Sequence, residues 1–129
     1  MVQPARGRIL VVDDDESVCR ALARLLRSYG FEPATFGSAA ALLAAGVPED
    51  ARCLVVDVRM PEMSGVELCE QLEASGRRVP AVFVTAHGTE DLRSLVLQGA
   101  PVLQKPVNGA QLVAAIEAAS RGGPRRAAR

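Results

Sequence analysis

Short, continuous apolar runs alternate with amphipathic stretches along this chain, and that alternation constrains the fold more than any other feature. The runs are rich in β-branched residues and too short for helices, which is typical of strands buried on both faces. Five helical segments lie between and after them, with apolar residues three or four positions apart. The alternation predicts an α/β fold with a parallel sheet covered by helices on both faces. The predicted strands are residues 8–12, 31–36, 53–56, 79–85 and 102–104.

Short polar residues mark where the predicted helices begin. Ser38, Thr89 and Asn108 are placed to cap the second, fourth and fifth helices, because their side chains can accept hydrogen bonds from the first turn. Asp15 and Glu16 are interpreted as acids favoured by the dipole at the start of the first helix.

Length and composition exclude several classes of protein. A chain of 129 residues with 49% hydrophobic and 23% charged residues is neither disordered nor a coiled coil, and its length fits one domain. No apolar run approaches the roughly 20 residues of a membrane span, and the first residues lack an apolar leader. A formal net charge of zero argues against direct nucleic-acid binding. Residues 7–120 are the expected domain, and 121–129 a basic flexible tail or truncated linker.

Cys19, Cys53 and Cys69 lie far apart among apolar residues. An odd number at such spacings suits neither a disulfide framework nor a zinc site. We therefore expect buried free thiols and a reducing, cytoplasmic setting.

Polar side chains follow four of the five predicted strands. Asp13 and Asp14 follow the first strand, Asp57 the third and Lys105 the fifth, while Thr85 ends the fourth. Ligands of open α/β sheets bind outside the carboxyl ends of the strands. A strand order of 2-1-3-4-5 makes the first and third strands neighbours, so the three carboxylates would converge.

Three converging carboxylates repel one another unless a cation holds them. A set of oxygen ligands suits Mg²⁺. The hydroxyl of Thr85 and the ammonium of Lys105, the only lysine among 15 basic residues, would suit the oxygens of a phosphoryl group. One carboxylate could then be a nucleophile that forms an aspartyl-phosphate.

Four segments of the chain resemble the response-regulator receiver domain of bacterial two-component signalling. They are Ile9–Asp15, Asp57–Gly65, Val84–Gly88 and Lys105-Pro106, in the family's order and near its spacing. The resemblance covers about residues 7–120. It implies a flavodoxin-like (βα)5 sandwich with strand order 2-1-3-4-5.

The resemblance also implies a function. Asp57 would accept a phosphoryl group from a sensor histidine kinase or a phosphotransfer protein. Asp13, Asp14 and Asp57, with the backbone carbonyl of Arg59, would hold Mg²⁺, directly or through water. The domain would then switch conformation to control a partner or output domain and dephosphorylate itself. It would be a regulatory phosphoacceptor rather than a metabolic enzyme.

Further roles are implied around the phosphoryl group. Thr85, Ala86 and Lys105 would bind it or respond to it, and Pro106 would fix the turn after the fifth strand, in the family often as a cis peptide. The switch position, which is usually aromatic in receivers, is Val102 here. With valine at this position, the sequence leaves open whether the usual aromatic switch operates in this chain.

Other positions are open to two interpretations. The side chains of Arg59 and His87 either border the phosphoryl pocket and modulate water attack, or are simply exposed. The stretch from Thr85 to Lys105 is about two residues short for the family. This shortening would alter the face formed by the fourth helix, fifth strand and fifth helix, through which receivers can form homodimers.

Two other functions compete with the receiver. The order of Asp13, Asp15, Thr85 and Lys105 is compatible with a haloacid-dehalogenase-type phosphatase, but only Glu117 follows Lys105 where that family needs an acidic motif. A phosphorylation-independent interaction module is the other alternative. The sequence is similar to receivers of helix-turn-helix transcription factors and of hybrid kinases. It does not indicate which kind of output domain this receiver would control.

Overall fold

The computed structural model describes residues 6–86 and 99–121. The fourth predicted helix with its cap Thr89, and His87, lie outside the described residues. Within those residues no helix is long and apolar enough to cross a membrane. The strands are β1 (Arg8–Val12), β2 (Glu32–Phe36), β3 (Ala51–Asp57), β4 (Ala81–Thr85) and β5 (Val102–Gln104). The described helices are α1 (Glu16–Ser28), α2 (Ala39–Ala45), α3 (Gly65–Ala74) and α4 (Gly109–Arg121).

The five strands form one parallel sheet in the order β2-β1-β3-β4-β5, which confirms the predicted topology. The central strands are fully buried except at their beginnings. Val12 on β1 is in register with Val56 on β3, so these two strands end side by side.

Alternate residues of the strands supply two separate core layers, because successive side chains of a strand point to opposite faces. Leu10 and Val12 pack with the layer that includes residues of α2 and α3. Ile9 and Val11 pack with the layer that includes residues of α1 and α4. Helices therefore cover both faces of the sheet, as predicted.

Several element boundaries differ from the predicted ones. β3 begins at Ala51 and includes Asp57, whereas β4 begins only at Ala81. Pro80 precedes β4 because it has no N–H to give to the ladder, although its carbonyl accepts a hydrogen bond from the Leu54 N–H at 2.8 Å. Phe31 is buried just before β2, and residue 121 is the last of α4.

Leu68, Cys69 and Leu72 form the buried face of α3. Leu68 is fully buried, whereas Val66 is only partly buried against the same layer. Leu68 lies one turn after Ser64, the residue that caps the helix.

The three cysteines are buried free thiols, as the sequence predicts. Burial raises the pKa of Cys53 to about 12 and also raises that of Cys19. The thiols of Cys19 and Cys53 therefore stay protonated.

Candidate metal centre at the carboxyl edge of the sheet

Two adjacent strand ends position the acidic residues. Asp13 directly follows β1, and its N–H donates to the carbonyl of Phe36 on β2 at 3.1 Å. Asp57 is the last residue of β3, and the N–H of Val58 donates to the carbonyl of Val84 on β4 at 2.9 Å. Each backbone segment is therefore fixed to a neighbouring strand where its carboxylate leaves the sheet.

The structure brings the carboxylates of Asp13, Asp14 and Asp57 together. One oxygen of each lies within 4.8 Å of the others. Asp13 is 1% and Asp57 is 7% exposed, whereas Asp14 is exposed to solvent. The cluster is consequently walled by protein on one side and open on the other, a shape that admits an ion or a small group.

Lys105 supplies the cationic group of this site. Its Nζ lies 3.0 Å from Asp13 Oδ2 and 3.4 Å from Asp57 Oδ2. The Lys105 N–H donates to the carbonyl of Thr85 at 2.8 Å, which sets the lysine beside the end of β4. The peptide bond between Lys105 and Pro106 is cis.

Burial and mutual repulsion shape the electrostatics of the cluster. Burial raises the pKa of Asp57, and the charge of Asp13 raises it further, while Lys105 acts in the opposite direction. Burial alone would lower the pKa of Lys105, but its hydrogen bond to Asp13 and the nearby charges raise it above the ordinary value. Among the described residues, one ammonium faces three carboxylates, so these four groups together carry an excess of negative charge.

The donor set fits a hard divalent cation. Carboxylate oxygens bind Mg²⁺ at roughly 2.0–2.1 Å, so neighbouring ligands of one octahedral ion are about 3 Å apart and opposite ligands about 4 Å apart. The oxygens of the cluster lie within 4.8 Å of one another, so they would have to move closer together or reach the ion through water. Asp13, Asp14 and Asp57 could therefore hold Mg²⁺.

Asp15 belongs to the helix rather than to the cluster. Its Oδ1 accepts hydrogen bonds from the backbone N–H groups of Ser17 at 2.9 Å and Val18 at 3.4 Å. A further bond from the Ser17 hydroxyl lowers the pKa of Asp15. The Asp15 N–H donates to Asp13 Oδ1 at 2.9 Å, which orients the Asp13 carboxylate.

The loop after β3 is held tightly against Asp57. The Arg59 N–H donates to Asp57 Oδ1 at 3.2 Å, and the Gly65 N–H donates to the carbonyl of Val58 at 3.0 Å. A Cβ on Gly65 would lie 2.4 Å from the Asp57 carbonyl oxygen. Sequence reasoning missed this constraint, although a glycine at the first position of a helix was a visible signal.

A capping box begins the helix after that loop. Ser64 Oγ accepts from the Glu67 N–H at 3.1 Å, and Glu67 Oε1 accepts from the Ser64 N–H at 2.9 Å. These two reciprocal bonds fix the start of α3 beside Asp57.

Thr85 and Ala86 lie at the same edge, and Val102 lies at the start of β5. Thr85 is buried at the end of β4, in register with Gln104 of β5, and Ala86 is exposed at the rim. Val102 is partly buried, in register with Phe83. The structure therefore places Val102 on the strand that leads to Lys105.

A cleft of about 500 Å³ borders the site between α1 and the turn after β5. Lys105 and Pro106 form one of its walls, and α1 contributes the apolar side chains of Val18, Leu22 and Leu25. Sequence reasoning did not predict this cleft, because it depends on how the two elements pack.

Comparisons with known proteins agree with this geometry. The sequence model described as "Response regulator receiver domain" matches residues 9–117. The chain is 44% identical over 110 residues to the transcriptional regulatory protein FixJ of Azorhizobium caulinodans, covering 84% of this chain and 52% of the relative. It is 37% identical over 114 residues to nodulation protein W of Bradyrhizobium diazoefficiens, covering 87% and 50%.

The chain also superposes on solved structures. The response regulator StyR superposes with a TM-score of 0.78 at 44% identity, covering 91% of this chain and 60% of that one. Full-length FixJ from B. japonicum superposes with a TM-score of 0.79 at 35% identity, covering 92% and 59%. The chain spans about half the length of the relatives it matches in sequence.

Proposed function

Since the chain belongs to the response regulator receiver domain family, we propose that Asp57 accepts a phosphoryl group from a protein phosphodonor. The observation that carries this proposal is the meeting of Asp57 with Asp13, Asp14 and the ammonium of Lys105 at one edge of the sheet. The phosphodonor would be a sensor histidine kinase or a phosphotransfer protein. The domain is regulatory rather than a metabolic enzyme.

The proposed chemistry is a single phosphoryl transfer to Asp57, followed by hydrolysis of the resulting aspartyl-phosphate. A carboxylate oxygen of Asp57 attacks the phosphorus, the bond to the imidazole nitrogen of the donor breaks, and that nitrogen leaves with its electron pair. In dephosphorylation, water attacks the phosphorus, and the products are inorganic phosphate and the free carboxylate. Burial and the charge of Asp13 raise the pKa of Asp57, which makes it more basic than an exposed aspartate.

Asp13, Asp14 and Asp57, with the backbone carbonyl of Arg59, would hold Mg²⁺. When bound, this ion neutralises negative charge on the phosphoryl oxygens. Lys105 already contacts Asp13 and Asp57, so its ammonium is placed to pair with a phosphoryl oxygen.

Phosphorylation would then bias two conformations of the domain. Thr85 and Ala86 follow one another at the end of β4, where a hydrogen bond to the phosphoryl group would move the backbone. Val102 has no ring to move with Thr85, so the signal would be transmitted through smaller packing changes around β4 and β5. We propose that the whole protein uses this change to control an output.

Intact-mass spectrometry after incubation with acetyl phosphate and Mg²⁺ tests the proposal. The wild type should gain one phosphoryl group, and Asp57→Ala should gain none. Asp50→Ala is the matched control, because Asp50 is an exposed carboxylate that pairs with Arg8 and should not affect labelling. A labelled Asp57→Ala protein, or a wild type that stays unlabelled in Mg²⁺, would refute the role of Asp57; the latter would favour a phosphorylation-independent interaction module.

The phosphatase alternative gains no support from the geometry. Glu117, the only acid after Lys105, pairs with Arg6, which precedes the first residue of β1. That pair lies at the amino ends of the strands, opposite the carboxylate cluster. Turnover of a generic phosphate ester such as p-nitrophenyl phosphate should therefore be absent.

A further inference from the structure

A second cleft, of about 310 Å³, lies between α1 and the edge strand β2. It shares no residue with the carboxylate cluster or with the cleft beside Lys105. Three of the six residues that line it are arginines of α1. The lining residues are Arg20, Ala23, Arg24, Arg27, Pro33 and Thr35.

The positive charge of this cleft is largely unpaired. Arg20 lies 3.5 Å from Glu16, and both of these side chains are well exposed. Among residues 6–86 and 99–121, the guanidinium groups of Arg24 and Arg27 form no ion pair. By contrast, Arg8 is paired with carboxylates. The cleft is therefore a local cationic surface on a chain with no net charge.

The spacing of the arginines defines one stripe along α1. Positions 20, 24 and 27 are four and three residues apart, so they lie on one face of the helix over about 10 Å. The guanidinium group is a planar fork that matches a carboxylate with two parallel hydrogen bonds. A partner helix with carboxylates on successive turns would present acceptors at the same spacing.

Pro33 and Thr35 of the edge strand β2 form the other wall of the cleft, and the backbone of this strand limits how a partner can bind. The Glu32 N–H donates to the carbonyl of Gly7, so alternate residues of β2 direct their backbone groups toward β1. Thr35, three positions later, therefore directs its N–H away from β1, toward the open edge. Pro33 has no N–H, so a partner strand cannot extend the ladder along the whole edge.

We propose that this cleft binds an acidic helical segment of a protein partner, through carboxylates that pair with Arg24 and Arg27. The size of the cationic patch argues against the other polyanions. Proteins that bind nucleic acid commonly neutralise about 6–10 phosphates, and anionic membranes are recognised by about 4–8 clustered cations. The cleft offers three arginines, one of them already paired.

This surface is separate from the proposed phosphoacceptor. The opposite flank of α1, with Val18 and Leu25, lines the cleft beside Lys105. Binding of an acidic segment should therefore persist in Asp57→Ala, whose labelling is lost. Peptide binding and labelling are therefore separate measurements, and each proposal can fail without the other.

Fluorescence anisotropy with a designed helical peptide tests the proposal on the full chain. One fluorescent probe carries glutamates at positions i, i+4 and i+7 in an alanine-rich sequence. A control probe carries glutamines at the same three positions. The glutamate probe should bind more tightly than the glutamine probe at low salt, and Arg24→Gln should weaken its binding by about twofold to fivefold, the effect of losing one exposed ion pair. Arg24 is exposed, so the variant should keep the thermal midpoint of the wild type.

Arg78→Gln is the matched control, because it removes the same charge from an exposed position outside the cleft. Binding of the glutamate probe should be unchanged in this variant. An equal loss of affinity in Arg78→Gln would overturn the proposal, since only bulk charge would then matter. Equal binding of the two probes would overturn it as well, and so would tighter binding of a short duplex DNA than of the glutamate probe.

Discussion

Gly65→Ala should destabilise the domain and disturb the candidate site at the same time. The added Cβ would lie 2.4 Å from the carbonyl oxygen of Asp57, whereas ordinary contacts begin at 3.4 Å, so backbone must move by about 1 Å. Such overpacking typically costs about 1–3 kcal/mol. The better helix propensity of alanine recovers at most about 1 kcal/mol, and less at the first residue of a helix. We expect a net loss of about 2 kcal/mol.

Urea and thermal denaturation followed by circular dichroism measure this loss. For a domain of this size it corresponds to a decrease of roughly 5–10 °C in Tm. Because the strained contact is with Asp57 itself, phosphorylation by acetyl phosphate should also slow. Gly37→Ala is the matched control, since a Cβ there meets nothing within 4 Å and Gly37 has no left-handed backbone. That variant should be neutral or gain up to about 1 kcal/mol.

A Gly65→Ala protein as stable as Gly37→Ala would refute the close approach of the loop to β3. A destabilised variant with unchanged phosphorylation would separate the two effects, and would show that the position of the Asp57 backbone does not govern its reactivity.

Three further predictions concern the same edge of the sheet. Burial and the charge of Asp13 raise the pKa of Asp57, so ionised Asp57 disfavours folding above that pKa. Asp57→Asn should therefore raise the free energy of unfolding of the metal-free domain at pH 7, measured in urea; the gain should shrink as the pH falls through the folded-state pKa of Asp57, and a gain independent of pH would contradict this cause. Arg59→Ala should change the half-life of the phosphorylated domain, followed by intact mass, and an unchanged half-life would exclude the side chain as a modulator of water attack. Ser64→Ala removes one half of a capping box and should cost about 1 kcal/mol in thermal unfolding; an unchanged Tm would show that the cap contributes nothing.

The central strands were predictable because they are buried on both faces. Ile9 to Val12 form an unbroken apolar run, which is typical of a strand in a parallel sheet that is covered on both faces. The boundaries of β3 and β4 were less predictable, since β3 begins with Ala51, which pairs with Arg8 of β1, and Arg52, where the register shifts. Pairing with neighbours, rather than local propensity, decides where these strands begin.

The candidate site was predictable where a residue lies at the end of a strand or directly after it. Asp13, Asp57 and Lys105 were found in this way, because topology alone brings parallel strand ends together. The steric restriction at Gly65 and the two clefts beside α1 were not predicted, because they depend on contacts between elements. The arginines of α1 were visible in the sequence at helical spacing, but only the three-dimensional structure shows that Arg24 and Arg27 form no ion pair with the other described residues.

A crystal structure of the protein with Mg²⁺ and beryllofluoride would test the central claim most directly. We predict beryllium bonded to a carboxylate oxygen of Asp57, with Lys105 beside a fluorine and Mg²⁺ ligated by oxygens of Asp13, Asp14 and Asp57. Beryllofluoride bound at another residue, or an ion with no ligand or bridging water from Asp13 or Asp14, would contradict the account.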